Sequence, residues 1–162
     1  MARDFVPGGN VFFQFFRTGQ TVRRLLLIAV EGSGVTQDEY GVLSAVRALG
    51  IAGGDREAPA PVQPTEMANW LGMPATTVST YIARFLERGL VERRPNPEDG
   101  RSYVLLLSPE GNALVDSVAK RLTEVVGRVA DESPVELAEI REALETLDAA
   151  GRRVLDSERV RR

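Results

Sequence analysis

The chain has 162 residues, a formal net charge of −3 and neither cysteine nor histidine. The lack of cysteine excludes a disulfide framework and a zinc–cysteine site, and without histidine any metal would depend on carboxylates alone. We therefore predict no catalytic residue, no metal site and no cofactor. The longest apolar run, residues 25–30, is too short to span a bilayer, and the N-terminus lacks a signal-peptide pattern. A cytoplasmic protein without a membrane partner is expected.

Two helices are predicted in the first third of the chain. Residues 10–30 are rich in phenylalanine and leucine, which is more apolar surface than one exposed helix of a monomer needs. Thr36 and Glu39 form a capping box that opens a second helix, which ends near Gly50. Residues 51–64 are rich in Gly, Ala and Pro and predict a loop.

A short helix and a tight turn follow this loop. The apolar face of the helix consists of four residues at helical spacing, namely Met67, Ala68, Leu71 and Met73. Gly72 is suited to end it, because glycine adopts left-handed backbone conformations without strain.

The next helix, predicted over about 75–88 and ended by Gly89, has two unlike faces. Its apolar residues must face a core: Val78, Ile82, Phe85 and Leu86. The opposite face carries hydroxyl side chains and one cation, which are suited to bases and phosphates at close approach: Thr76, Thr77, Ser79, Thr80 and Arg84. The alternative for this second set is an ordinary solvated helix face.

A two-stranded hairpin is predicted after this helix. Residues 90–94 and 103–107 suit strands, and residues 95–100 between them are dense in turn-forming residues. Ser108 then caps a further helix, with Pro109 at its first position.

Four short motifs occur in a fixed order along the chain. They are Leu71-Gly72 through Val78-Ser79, Leu86 through Arg93, Asp99 through Ser102, and Leu107 through Gly111. Each is weak alone, but their order and spacing resemble the MarR family of bacterial transcriptional regulators. The resemblance implies a mainly α fold with a small β-hairpin wing (α+β), that is, a winged helix-turn-helix with a helical dimerisation bundle. Residues 1–162 would then form a single MarR-like unit, with a DNA-binding lobe over 36–107 and a dimerisation region over 10–30 plus 108–157.

The resemblance also gives the wing residues their roles. Arg101 is similar to the family's wing-tip arginine, which reaches into a minor groove, where negative potential is concentrated. Asp99 matches the acidic residue that holds this arginine extended, and Ser102 belongs to the same motif. The alternative for Asp99 and Arg101 is a plain turn with a surface ion pair. Arg93 and Arg94 alternate across a strand, so one of them is expected to face DNA, and we assign Arg94.

Two residues depart from the family's pattern. Gly100 stands where many relatives carry a basic residue, which predicts lower wing affinity or a more flexible tip. Pro74 stands where a capping Ser or Thr is common, so the second helix of the motif is expected to lack a side-chain cap. Met73 would then occupy the cap position, with Pro74 as the first helical residue.

Two long helices are predicted after the hairpin. The first runs from Ser108 to about Asp131, and a second capping box at residues 133–136 opens the next. Together with the apolar first helix, they resemble the family's dimerisation bundle. A two-fold dimer presents two recognition helices about one DNA turn apart and can recognise a pseudo-palindrome.

The charge of the DNA-facing segment is nearly balanced. Between Arg84 and Arg101 there are five arginines and four acids, so attraction to phosphate must depend on placement rather than on the sum. Arg88 is expected either to contact DNA or to be an ordinary exposed residue, close enough to Glu92 to pair with it.

The main hypothesis is a dimeric, sequence-specific transcriptional regulator, with repression the favoured sense. The helix over about 75–88 would enter the major groove of a pseudo-palindromic operator in double-stranded DNA, and the wing over about 95–102 would contact the minor groove. The resemblance implies a small aromatic or phenolic effector between the lobe and the bundle, although a regulator without a ligand also fits. The alternative is a winged-helix protein-interaction module that has lost DNA binding. An enzyme is disfavoured because no catalytic constellation is found.

Overall fold

The structure is a computed structural model, and it describes residues 7–51, 64–96 and 103–160. Within these ranges the elements are α1 (Pro7–Val30), α2 (Gln37–Ile51), α3 (Pro64–Leu71), α4 (Ala75–Glu87), β1 (Val91–Pro95), β2 (Tyr103–Leu107), α5 (Pro109–Glu132) and α6 (Leu137–Val160). The predicted fold class, mainly α with a small β-hairpin wing, is confirmed. The predicted wing residues Asp99, Arg101 and Ser102 lie outside the described residues.

The chain divides into two compact units, Met1–Leu122 and Thr123–Arg162. The first contains the helix-turn-helix and the hairpin, and the second contains the end of α5 and all of α6. The predicted assignment of 36–107 to a DNA-binding lobe and of the flanking helices to a dimerisation region stays a prediction.

The core of the first unit holds the helix-turn-helix together. Apolar side chains from α2, α3, α4, β2 and α5 pack into one cluster. Its largest fully buried members are Phe85, Leu43, Met67, Ile82 and Leu105. The burial of Val78, Ile82 and Phe85 confirms the predicted apolar face of α4. Burying a side chain of this size stabilises the fold by about 1.5–3 kcal/mol, so this cluster fixes the orientation of α4.

Two glycines with positive φ set the ends of α3 and α4. Gly72 has φ +65° and follows the last residue of α3, as predicted. Gly89 has φ +69° and donates its N–H to the Leu86 carbonyl at 3.1 Å. Leu90 donates to the Phe85 carbonyl at 2.8 Å, which completes a Schellman motif. The strand predicted to start at Leu90 therefore begins one residue later, because the Leu90 backbone closes the helix.

The hairpin is joined tightly to the start of α5. β1 and β2 pair antiparallel, with Val91 opposite Leu107. The Ser108 N–H donates to the Leu90 carbonyl at 3.0 Å, and the Ser108 hydroxyl accepts from the Gly111 N–H at 3.0 Å, so the predicted cap is confirmed. A Cβ atom at Gly111 would lie 2.0 Å from the Leu90 carbonyl oxygen. Glycine is therefore required where α5 crosses the end of α4.

The turn between α1 and α2 is fastened from two directions. Gly32 and Gly34 give it two positive φ angles, of +70° and +76°. Arg88, at the end of α4, donates to the Gly34 carbonyl at 2.9 Å, and Arg121 of α5 donates to the Glu31 carbonyl. The turn is thereby tied to both α4 and α5.

The start of α6 differs from the prediction. The Ser133 hydroxyl exchanges hydrogen bonds with the Val135 backbone rather than capping a helix, so the capping box predicted at residues 133–136 is wrong. The helix begins at Leu137, and the Glu136 carbonyl accepts from the Ile140 N–H at 3.2 Å. An extra local turn thus precedes the helix.

Candidate nucleic-acid interface

The exposed face of α4 begins at a proline cap. Pro74 is the N-cap, with φ −60° and ψ 136°, and Ala75 is the first helical residue. The assignment of Met73 as the cap is therefore wrong by one position. The predicted lack of a side-chain cap is confirmed, and the Pro74 carbonyl instead accepts from Thr77 and Val78 N–H groups at 3.0 and 3.2 Å. The first N–H groups of α4 consequently remain available at a surface, which favours an approaching anion.

The predicted DNA-facing hydroxyl residues do lie together on the surface of α4. Thr76, Ser79 and Thr80 are exposed, and Thr77 is half-buried. The Thr80 hydroxyl donates to the Thr76 carbonyl at 2.9 Å, so it presents its oxygen outward as an acceptor. This stripe has short side chains and no charge, which allows the helix backbone to come close to a groove floor.

The cations of α4 point to the start of α2. Arg84 Nη1 and Arg88 Nη1 lie 3.8 and 3.9 Å from Glu39 Oε1. Glu39 is only 6% exposed, and its other oxygen accepts from the Thr36 N–H at 2.8 Å. The Glu39 N–H in turn donates to the Thr36 hydroxyl at 3.2 Å, which confirms the predicted capping box. One carboxylate therefore caps α2 and faces two arginines of α4.

Arg88 is exposed, but its contacts differ from the predicted pair with Glu92. Arg88 binds the Gly34 carbonyl and faces Glu39, and its side chain is 39% exposed. Glu92 instead pairs with Arg94 at 3.1 Å. Sequence spacing suggested the Glu92 partner because it lies nearby in the chain, whereas the true partners come from a distant turn.

The described base of the wing presents two arginines. Arg94 remains 63% exposed while it pairs with Glu92. Arg93 lies over the Tyr103 ring, with its guanidinium carbon 4.5 Å from the ring centroid, so the two strands are linked by a cation–π contact. Arg94 is thus exposed beside Glu92, whereas Arg93 packs on the Tyr103 ring, and the assignment of Arg94 to DNA stays a prediction.

A cleft opens beside α4, and the sequence did not predict the residues that line it. It has a volume of about 910 Å³, within the usual range for ligand sites. The walls combine apolar side chains of α1, the α1–α2 turn, the start of α2 and one aromatic ring of α4, including Leu27, Ile28, Val35, Glu39 and Tyr81. Tyr81 also stacks on Phe85, with ring centroids 6.3 Å apart. The sequence offers one indication of this cleft: Tyr81 lies three residues before Arg84, which places both side chains on one flank of α4.

Two aromatic residues near this face have different positions. Tyr40 is buried in the core. Trp70 is 47% exposed on α3 and does not belong to the core cluster.

The segment that forms this interface matches a known family. A family model described as MarR family matches residues 33–102, which extend from the α1–α2 turn into the wing. Over this segment the chain is similar to the MarR family. Members of the MarR family are regulators rather than enzymes.

Individual MarR-family proteins resemble the chain over most of its length. The multiple antibiotic resistance protein MarR of Salmonella typhimurium is 25% identical over 118 residues, which is 73% of each chain. CouR from Rhodococcus jostii RHA1, solved bound to p-coumaroyl-CoA, has a TM-score of 0.72 and 21% identity, covering 88% of this chain and 92% of CouR. A mutant MarR from E. coli, solved with operator DNA, has a TM-score of 0.65 and 20% identity, covering 88% and 94%. These structures share the MarR fold with this chain.

Two features are missing from the described part of the chain. Over residues 7–51, 64–96 and 103–160, no helix is long and apolar enough to cross a membrane. Within the same described ranges, no group of three acidic residues is arranged to hold a metal ion.

Proposed function

We propose that this protein is a dimeric, sequence-specific transcriptional regulator of the MarR family that acts as a repressor on a pseudo-palindromic operator. α4 would enter the major groove with Thr76, Thr77, Ser79, Thr80 and Arg84. The wing would contact the neighbouring minor groove, with Arg94 at its base and Asp99, Arg101 and Ser102 at its tip. The observation that carries this proposal is the exposed hydroxyl stripe of α4, held outward by a fully buried opposite face. The fold shared with a DNA-bound MarR supports it further.

Dimerisation is supported by apolar surface that one chain leaves exposed. Phe13 and Phe16 on α1 are 59% and 62% exposed. On α6, Leu144 and Leu147 are 53% and 45% exposed and lie at helical spacing. Exposed apolar rows of this kind mark protein interfaces. A second copy of the chain would cover them and give the two-fold symmetry that a palindromic operator requires.

An effector site is proposed in the cleft between α1, α2 and Tyr81. Its apolar side chains and its aromatic ring suit the ring of a small aromatic molecule, and Arg23, Glu31, Asp38 and Glu39 add charged groups to the lining. CouR, which shares the fold, was solved bound to p-coumaroyl-CoA. Such a ligand would change operator affinity only if it binds one conformation of the protein better than the other. A binding role, rather than catalysis, is proposed for this cleft.

Selection of bound duplexes from a random DNA library tests the main proposal. We expect enrichment of a palindromic site, and a log–log plot of its affinity against salt should fall with a slope of about −0.9 for each phosphate neutralised. Arg101→Ala should weaken binding to the selected site by about 1–3 kcal/mol, measured by fluorescence anisotropy. Arg141→Ala, which removes an exposed arginine of α6, is the matched control and should leave the affinity unchanged.

A winged-helix protein-interaction module is the second candidate. It is favoured by the pairing of described arginines on this face, since Arg84, Arg88 and Arg94 all meet carboxylates of the same chain. This candidate would be supported, and the main proposal contradicted, if the selection enriched no DNA site and the affinity for DNA did not depend on salt.

A further inference from the structure

One flank of α4 lies beside the α1–α2 turn and the start of α2. Tyr81, Arg84 and Arg88 are spaced three and four residues apart, so they share that flank. Tyr81 lines the cleft, and both arginines face Glu39. Arg84 also lies four residues after Thr80 of the hydroxyl stripe. Its guanidinium can therefore contact either Glu39 or a phosphate beside that stripe.

The two arginines are held to different degrees. Arg88 has a 2.9 Å hydrogen bond to the Gly34 carbonyl as well as the Glu39 contact. Arg84 approaches Glu39 at 3.8 Å, and its side chain is 60% exposed. The Arg88 contacts therefore fasten the end of α4, whereas Arg84 has the freedom to leave its partner.

Glu39 cannot follow Arg84 outward. Its side chain is 8% exposed, and one carboxylate oxygen is engaged by the Thr36 N–H in the cap of α2. The negative charge is therefore fixed 3.8 Å from the Arg84 guanidinium. A phosphate that approaches α4 must compete with this charge for the same guanidinium.

We infer that Glu39 is a positioning residue that draws Arg84 away from DNA and so limits the phosphate contacts of α4. This inference rests on the proposed DNA-binding function. Glu39 would lower the affinity for DNA of any sequence, since a phosphate contact carries no base specificity. It would thereby let the hydroxyl stripe and the wing determine a larger share of the discrimination between operators.

Glu39→Gln tests the inference, because the amide oxygen keeps the size and the capping contact of the side chain while the charge is removed. We expect affinity for a mixed-sequence duplex to rise about 2- to 5-fold, because the Arg84 partner is largely exposed and such pairs are weak. The log–log salt slope should steepen by about 0.9, which corresponds to one added phosphate contact. A merely structural role for Glu39 would weaken binding and would not steepen the slope.

Two further variants test whether the gain in affinity comes from the Glu39–Arg84 contact. Asp116→Asn makes the same charge change on α5, where Asp116 pairs with Arg47, and it should reproduce neither effect. Adding Arg84→Ala to Glu39→Gln should abolish the gain, and Arg84→Ala should cost more affinity in the Glu39→Gln background than in the wild type. Circular dichroism and urea unfolding check that each variant retains the fold.

The outcomes separate this inference from the proposed function. A wild-type protein that binds DNA in a salt-dependent way, with a Glu39→Gln variant of equal or lower affinity and unchanged slope, overturns the role of Glu39 alone. A gain that survives Arg84→Ala also overturns it. A wild-type protein without salt-dependent DNA binding overturns the proposed function and this inference with it.

Discussion

Replacing Gly111 by alanine should destabilise the protein, although alanine is normally the better helix former. The new Cβ would lie 2.0 Å from the Leu90 carbonyl oxygen and 3.0 Å from its carbonyl carbon. Since both neighbours are backbone atoms, α5 and the end of α4 must separate by about 1 Å, and overpacking of this kind costs about 1–3 kcal/mol. The separation also stretches the 3.0 Å hydrogen bond from Ser108 to Leu90, at about 0.5–1.5 kcal/mol.

Alanine offsets part of this cost through its helix propensity, by about 1 kcal/mol. The expected net loss is about 1–3 kcal/mol in the free energy of unfolding, which lowers the urea midpoint by about 1 M. Gly127→Ala is the matched control on the same helix, because a Cβ there meets nothing within 4 Å, and it should stabilise the protein by about 0.5–1 kcal/mol. Equal stability of the two variants would refute the close approach at Gly111.

Two other predictions follow from the cap of α5 and from the exposed face of α6. Ser108→Ala removes the buried cap of α5 and should lower the free energy of unfolding by about 1 kcal/mol, whereas Ser133→Ala, which affects only a local turn, should change it by less than about 0.5 kcal/mol. Equal effects of the two would contradict a capping role for Ser108. Leu144→Glu should convert a dimer to monomers in analytical ultracentrifugation, and Ala149→Glu, on another face of α6, should not. A dimer that persists in Leu144→Glu would remove α6 from the proposed interface.

Local signals predicted most of the first unit. The apolar spacing of Val78, Ile82 and Phe85 determined the buried face of α4, since only one helical face places all three in the core. The glycines at 72 and 89 ended their helices by chemistry that depends only on neighbouring residues. For the same reason the capping box of α2 could be predicted from two residues.

The errors arose where local and distant partners compete. Ser133 has the spacing of a cap, but its hydroxyl satisfies the adjacent backbone first. Pro74 was expected inside the helix, but it lies in extended backbone at the cap. The partners of Arg84 and Arg88 lie 45 or more positions earlier in the chain, so no spacing rule within the helix could predict them.

The α1–α2 turn, which is hydrogen-bonded to Arg88 and to Arg121, limits where residues can be inserted into this chain. Arg88 and Arg121 reach its carbonyls from α4 and α5, so six residues between Val30 and Gln37 set the spacing of two helices that are far apart in sequence. One residue inserted between Glu31 and Gly34 would change the separation of these two carbonyls, so the two contacts would not both be kept. Homologous chains should therefore keep this turn at constant length, even where other connections between their helices vary.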